Sequence, residues 1–211
     1  TDLADAGFLR TAAIPFLEAM VRGRLNVLVA GGTGTGKTTF ARVLCRLVPS
    51  RERLVTIEDQ AELHLWRELP DCVSLEGRPA NIEGRGAIGI TGLVHEALRM
   101  SPDRIVIGEV RGAEALDLLD AMNTGHPGSI CTIHSESPRD TLPRLARLAL
   151  RNPASPLYGA VLAEIARTGD VVLHLGVASE EGVRRRRLRS IGVIVDGEDG
   201  HPAVEDLSAV S

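Results

Sequence analysis

Gly31-Gly32-Thr33-Gly34-Thr35-Gly36-Lys37-Thr38 follows the spacing G-x-x-x-x-G-K-T, and its flanks restrict what this chain can become. Leu25 to Ala30 before it is a short aliphatic run of strand type. Thr39 to Leu44 after it carries apolar residues at helical spacing. A glycine-rich turn between a buried strand and a helix lets successive backbone N–H groups point inward around phosphate oxygens. The helix N-terminus adds its positive end. The spacing therefore predicts that Gly31, Gly32, Thr33, Gly34, Thr35, Gly36, Lys37, Thr38 and Thr39 receive the phosphates of ATP. Lys37 would reach the β- and γ-phosphates, and the Thr38 hydroxyl would hold Mg²⁺.

The rest of the chain repeats that alternation. Strand-like runs at 53–57, 72–75, 104–107 and 129–133 are separated by helical stretches at 37–47, 113–123 and 138–150. An opening helix around Leu9 to Met20 is interrupted by Pro15 and ends at Gly23, which reads as a C′ glycine. Thr91 reads as the cap of a helix, and Ser137-Pro138 and Ser155-Pro156 each read as a helix start. The glycine-rich segment 77–90, with Arg78, Pro79 and Arg85, reads as a functional loop. Runs at 171–175 and 188–195 flank a Ser-Glu-Glu-Gly turn and predict a hairpin, with a loose polar tail beyond Asp196. The fold class expected is α/β: a mostly parallel sheet covered by helices on both faces, with a C-terminal β-hairpin. Ligands of such sheets sit at the carboxyl ends of the strands.

Composition narrows the partners. Hydrophobic residues make up 44% but aromatics only 2%, so the core is aliphatic and no base-stacking platform for single-stranded nucleic acid is available. A net charge of −4 gives no general attraction to nucleic acid, and no nucleic-acid partner is expected. Arg184-Arg185-Arg186-Arg187 is the one basic run, and reads as a solvated strand edge or turn, with a binding role as the alternative. Cys45, Cys72 and Cys131 lie far apart and read as buried apolar residues of a reducing compartment. With no leader-like or bilayer-length apolar run, a soluble cytoplasmic protein is expected. The opening at Thr1 reads as a fragment preceded by another domain.

Three further residues stand directly behind predicted strands. Glu58 follows 53–57 and would orient the attacking water. Glu109 follows 104–108, the place of a Walker B acid; its extra methylene over Asp favours reaching Mg²⁺ through water. His134 closes 129–133 and would hydrogen-bond the γ-phosphate or the water. His126 in a turn and His174 in an apolar strand are weaker candidates. No Cys/His cluster is present, so Mg²⁺ carried by the nucleotide is the only metal implied, with Thr38 and Glu109 its protein partners.

The blocks GGTGTGKTT, VTIEDQAEL, RPANIEGRG, ALRMSPDRIVIGEVRG and AMNTGHPGSICTIHSESPRD, in this order over about residues 25–145, resemble the type II/type IV secretion ATPase superfamily. They look most like its CpaF-like branch, the Flp (tight adherence) pilus assembly ATPases. The resemblance implies a RecA-like ATPase domain over 1–196, the C-terminal domain of a longer protein, with a loose tail at 197–211. It likens Glu58 to the Asp-box glutamate, Glu109 to the atypical Walker B acid and His134 to the His-box histidine. Arg99 and Arg111 match arginines flanking the Walker B segment, near the phosphates or a subunit boundary. It also implies a hexamer that hydrolyses ATP to power pilus assembly or secretion, held at the cytoplasmic face of the inner membrane through platform proteins. Two other readings stay open: a nucleic-acid translocating ATPase, and a regulatory nucleotide-binding module with poor hydrolysis.

Overall fold

A computed structural model, which describes residues 2–180, 183–197 and 201–207, gathers the aliphatic runs into one eight-stranded sheet. In chain order the strands are β1 (Val27–Gly31), β2 (Leu54–Glu58), β3 (Cys72–Glu76), β4 (Arg104–Val110), β5 (Ile130–His134), β6 (Val171–Glu180), β7 (Val183–Asp196) and β8 (Pro202–Asp206). Across the sheet they run β3-β2-β4-β5-β1-β6-β7-β8, the first six parallel and the last two antiparallel to their neighbours. β1 lies between β5 and β6 with every residue buried, which explains its unbroken aliphatic character.

Side-chain alternation divides the interior. Val27 and Val29 face α2 (Ile14–Arg22) and α3 (Lys37–Cys45), where Phe40, Ala41 and Leu44 meet them. Leu28 and Ala30 face the other layer, built by α4 (Ile90–Leu98), α5 (Glu114–Asn123), α6 (Pro138–Ala149) and α7 (Tyr158–Thr168). A short helix, α1 (Asp2–Asp5), precedes α2. Aliphatic contact dominates throughout, and Phe8 and Phe40 form the one ring pair among the described residues, 5.2 Å between centroids.

Several local expectations are corrected. Gly23 is right-handed, and the left-handed residue after α2 is Arg24 (φ 59°). The guanidinium of Arg24 lies 3.3 Å from both Glu52 and Asp103, which holds that conformation. α4 starts after Gly89 with no side-chain cap, so Thr91 falls within its first turn. Ser137 does cap α6, its Oγ accepting the Asp140 N–H. At Ser155 the hydroxyl bonds the Pro156 carbonyl instead, and α7 begins two residues later behind Leu157. The hairpin is longer than expected, so Arg184–Arg187 lie within β7; the turn residues 181 and 182 fall outside the described residues. Of the tail expected to be loose, Pro202–Asp206 adds to the sheet as β8.

At the amino ends of the strands, Arg104 is fully buried and its Nε donates to Glu52 at 2.6 Å.

Candidate active site

The loop leaves β1 and enters α3 through Gly36, whose φ of 93° is left-handed and natural only to glycine. Lys37, first residue of the helix, is 9% exposed, and its ammonium donates to the Gly32 carbonyl at 3.0 Å. Thr35 Oγ donates to the same carbonyl at 2.9 Å, so the loop is held by its own side chains. Burial lowers the Lys37 pKa below the usual range; the charge of Glu109 works against that shift and the charge of Arg111 with it. The ammonium thus stands within the field of both residues. Thr38 is half-buried and Thr39 exposed.

Glu58 ends β2 and is 3% exposed. Its Oε1 accepts the backbone N–H groups of Glu62 and Leu63 at 3.2 and 3.1 Å, whereas its buried Oε2 has no partner. Burial raises its pKa above the ordinary carboxylate value, with the two backbone bonds pulling the other way. Beside it, β4 departs from regular pairing: Ile107 faces Cys131, but the next partners are Val110 and Ile133, leaving one extra residue on β4. The extra residue belongs to the Gly108–Glu109 step. A Cβ on Gly108 would stand 2.8 Å from Glu58 Cγ, so glycine permits the approach of the two strand ends. Glu109, still within β4, forms an ion pair with Arg111. Arg111 is itself positioned by Glu114, whose Oε1 accepts the N–H groups of Arg111 and Gly112 at 2.6 and 2.7 Å.

These groups line one cleft of about 530 Å³, shared by Thr38, Glu58, Asp59, Glu109, Arg111 and Arg78. Arg78 belongs to the glycine-rich segment, which is closed by the Arg78–Ile88 bridge and by an Arg78 Nε bond to the Gly86 carbonyl at 2.8 Å. Sequence reasoning marked this segment as functional but assigned Arg78 no role; an arginine amid glycines beside a strand end was the available signal. His134 lies beside Gly31 in the β1–β5 register, is half-exposed and sits 3.6 Å from Glu136; it does not line the cleft. Arg99 is not brought to the cleft. α4 starts at the cleft wall by Gly89 and carries Arg99 about 13 Å away along its axis, where the side chain is 80% exposed beside Glu96. His126 Nδ1 lies 3.2 Å from the Ala121 carbonyl, and His174 is half-buried on β6.

A phosphate-type loop on the central strand of a parallel sheet, with acids on two strands to one side, defines an α/β protein with a RecA-like core. The chain belongs to the type II/IV secretion system protein family, which it matches over residues 1–175. It is 41% identical to a putative conjugal transfer protein of Mycobacterium tuberculosis over 202 residues, 96% of this chain and 55% of that one. It is 40% identical to the type IV secretion system protein PtlH of Bordetella pertussis over 174 residues, 81% of this chain and 51% of the other. The crystal structure of the VirB11 ATPase from the Brucella suis type IV secretion system, in complex with sulphate, superimposes with a TM-score of 0.76 at 32% identity. That match covers 90% of this chain and 53% of the other. The pilus retraction motor PilT with bound ADP (TM-score 0.60, 21% identity) shares the fold. The chain spans about half the length of the curated relatives it matches. Among the described residues no helix is long and apolar enough to cross a membrane.

Proposed function

We propose that this chain is the ATP-hydrolysing core of a secretion, conjugation or pilus-assembly motor. The observation that carries the reading is the single cleft in which Thr38 of the loop meets Glu58, Glu109 and Arg111. Lys37, with its amine held at the loop mouth, binds the β- and γ-phosphates. Glu58 orients the attacking water and accepts its proton: the buried, unpartnered Oε2 is an acceptor in need of a donor, and burial makes it more basic than a surface carboxylate. Arg111 supplies positive charge near the γ-phosphate once released from Glu109.

No group of three or more metal-binding side chains is present among the described residues, so a divalent ion would arrive with the phosphates. Thr38 and Glu109 present the hard oxygen donors such an ion takes. Bound there, Mg²⁺ would neutralise phosphate charge. His134, next to Gly31, is assigned to the loop rather than to the water.

Membership of the family and the conjugal and type IV secretion relatives support a role in moving macromolecules across an envelope. The motif blocks favour the Flp pilus branch. Work in a hexamer, at the inner membrane through partner proteins, belongs to the same proposal. Lys37→Ala tests it. Loss of one desolvated charge-assisted contact is worth about 1.5–3 kcal/mol, at least a tenfold fall in ATP affinity by calorimetry. Unchanged affinity would overturn the assignment.

A further inference from the structure

The charges of α6 are not used by the chemistry above. One side of this helix, with Leu142, Leu145, Ala146, Leu148 and Ala149, is buried in the core. Outward it carries Arg144 and Arg147, and Arg151 stands one turn further, just past its end. Spacings of three and four residues set these guanidinium groups in one row, about 10 Å long at the rise of a helix. Arg147 and Arg151 are exposed and Arg144 is half-buried. Among the described residues no carboxylate pairs with any of the three. Asp140, the acid one turn earlier, takes the Ser137 hydroxyl at 2.6 Å.

The chain that follows this row is apolar and exposed. Leu150 is 40% exposed, Leu157 85% and Tyr158 41%. The connection that carries them is a built turn: the Asn152 carbonyl accepts the Ser155 N–H at 2.9 Å, and Asn152 Oδ1 accepts the Ala154 N–H at 3.0 Å. Arg151 and Asn152 also tie it to the segment behind β4, donating to the carbonyls of Arg111 at 3.1 Å and Ala113 at 3.5 Å. A fixed surface that sets unpaired guanidinium groups beside large exposed apolar side chains has the composition of an interface.

We propose that this surface docks an acidic helix of a partner protein, laid along α6. Carboxylates at positions i, i+3 and i+7 of a helix repeat at the pitch of the arginine row, and guanidinium groups take carboxylates in paired hydrogen bonds. An apolar residue flanking those acids covers Leu157 and Tyr158. A membrane surface is the poorer fit, because an interfacial helix needs a free apolar face and that of α6 lies in the core. A second copy of this chain lacks the counterpart. The row of acids on its described helices is Glu114, Asp117 and Asp120 of α5, where Glu114 accepts the Arg111 and Gly112 N–H groups and Asp117 is buried against His95. The residues of the proposed surface line no part of the ATP cleft.

The probe is a fluorescein-labelled helical peptide with Glu at i, i+3 and i+7 and Leu beside them; its control has the same residues in an order that breaks the stripe. By fluorescence anisotropy the parent should bind the patterned peptide in a salt-sensitive way. Affinity should fall roughly tenfold in R144E/R147E and about threefold in L157S. Arg147 and Leu157 are exposed, so R147E and L157S carry the comparison should the double variant fail to fold by circular dichroism. A parent that does not bind, equal affinity for the two peptides, or variants that bind like the parent would each overturn the proposal. Two further results also overturn it. If the parent but not R147E sediments with phosphatidylcholine–phosphatidylglycerol vesicles, the surface is a membrane contact. If R147E abolishes a self-association seen by light scattering, it is a contact between copies.

Discussion

Glu58 and Glu109 are both strand-end acids, yet their surroundings differ enough to separate them by experiment. Glu58 is buried, anchored through one oxygen and unpartnered at the other, whereas Glu109 is tied to Arg111. Glu58→Gln is expected to keep ATP affinity within about twofold and to lower turnover by about 10²-fold or more, the scale of a lost general base. Glu109→Gln is expected to shift the Mg²⁺ titration of binding as well; identical titrations for the two variants would remove this division of labour. The raised pKa of Glu58 also fixes a sign. Its ionised form is disfavoured by folding, so its contribution to stability is present below the unfolded value of 4.5 and lost as pH rises through the folded one. Turnover needs that ionised form, so its acid limb should lie above the pH of an ordinary carboxylate and vanish in Glu58→Gln. Gly108 carries the same geometry into packing. Gly108→Ala sets a methyl against Glu58 Cγ and is expected to cost about 1–3 kcal/mol by chemical denaturation, with turnover reduced.

Among the elements, those whose local and tertiary demands agreed were legible from sequence. β1 is apolar on both faces because both faces are covered, and Ser137 with Pro138 caps α6 as its spacing promised. Ser137→Ala should cost about 1 kcal/mol in denaturant unfolding, and no measurable change would mean the Asp140 N–H finds water instead. Elements set by distant partners were not legible. Arg24 takes the left-handed turn at α2 because Glu52 and Asp103, far away in sequence, hold its guanidinium, and local glycine preference pointed one residue too early. β8 consists of polar and apolar residues that resemble a tail until β7 is there to pair with them. The acids of the candidate site were readable because each ends an aliphatic run. The extra residue on β4 was hidden, since a bulge is a property of two strands, and so was the distance of Arg99 from the cleft, since nearness in sequence to Glu109 does not show which way α4 runs.

At the scale of the whole molecule, chemistry and stability are separated along the strands: the cleft is at their carboxyl ends, and the Arg104–Glu52 pair at their amino ends. Glu52→Gln leaves a fully buried guanidinium short of its charge partner and is expected to destabilise by about 3–5 kcal/mol without altering the affinity of the remaining folded protein for ATP. The thiols report the same core. Cys45 and Cys131 are pushed up to about 12 by burial and Cys72, half-buried on the edge strand β3, to about 11. Disulfide-exchange reagents at neutral pH should therefore label Cys72 slowly and the other two only on unfolding; rapid labelling of all three would mean a looser core. One last consequence follows from where the hairpin stands. β8 covers β7 only from Gly192 onward; on the stretch before it, among the described residues, the Leu188 N–H donates to the Phe8 carbonyl and the Arg187 guanidinium to the Gly7 carbonyl. An open strand is a template on which a second copy can polymerise, and here the template carries four consecutive arginines. Two such edges repel each other on approach. These cations would thereby keep the proteins from stacking edge to edge, and screening them with salt would expose the hairpin as the first site of aggregation.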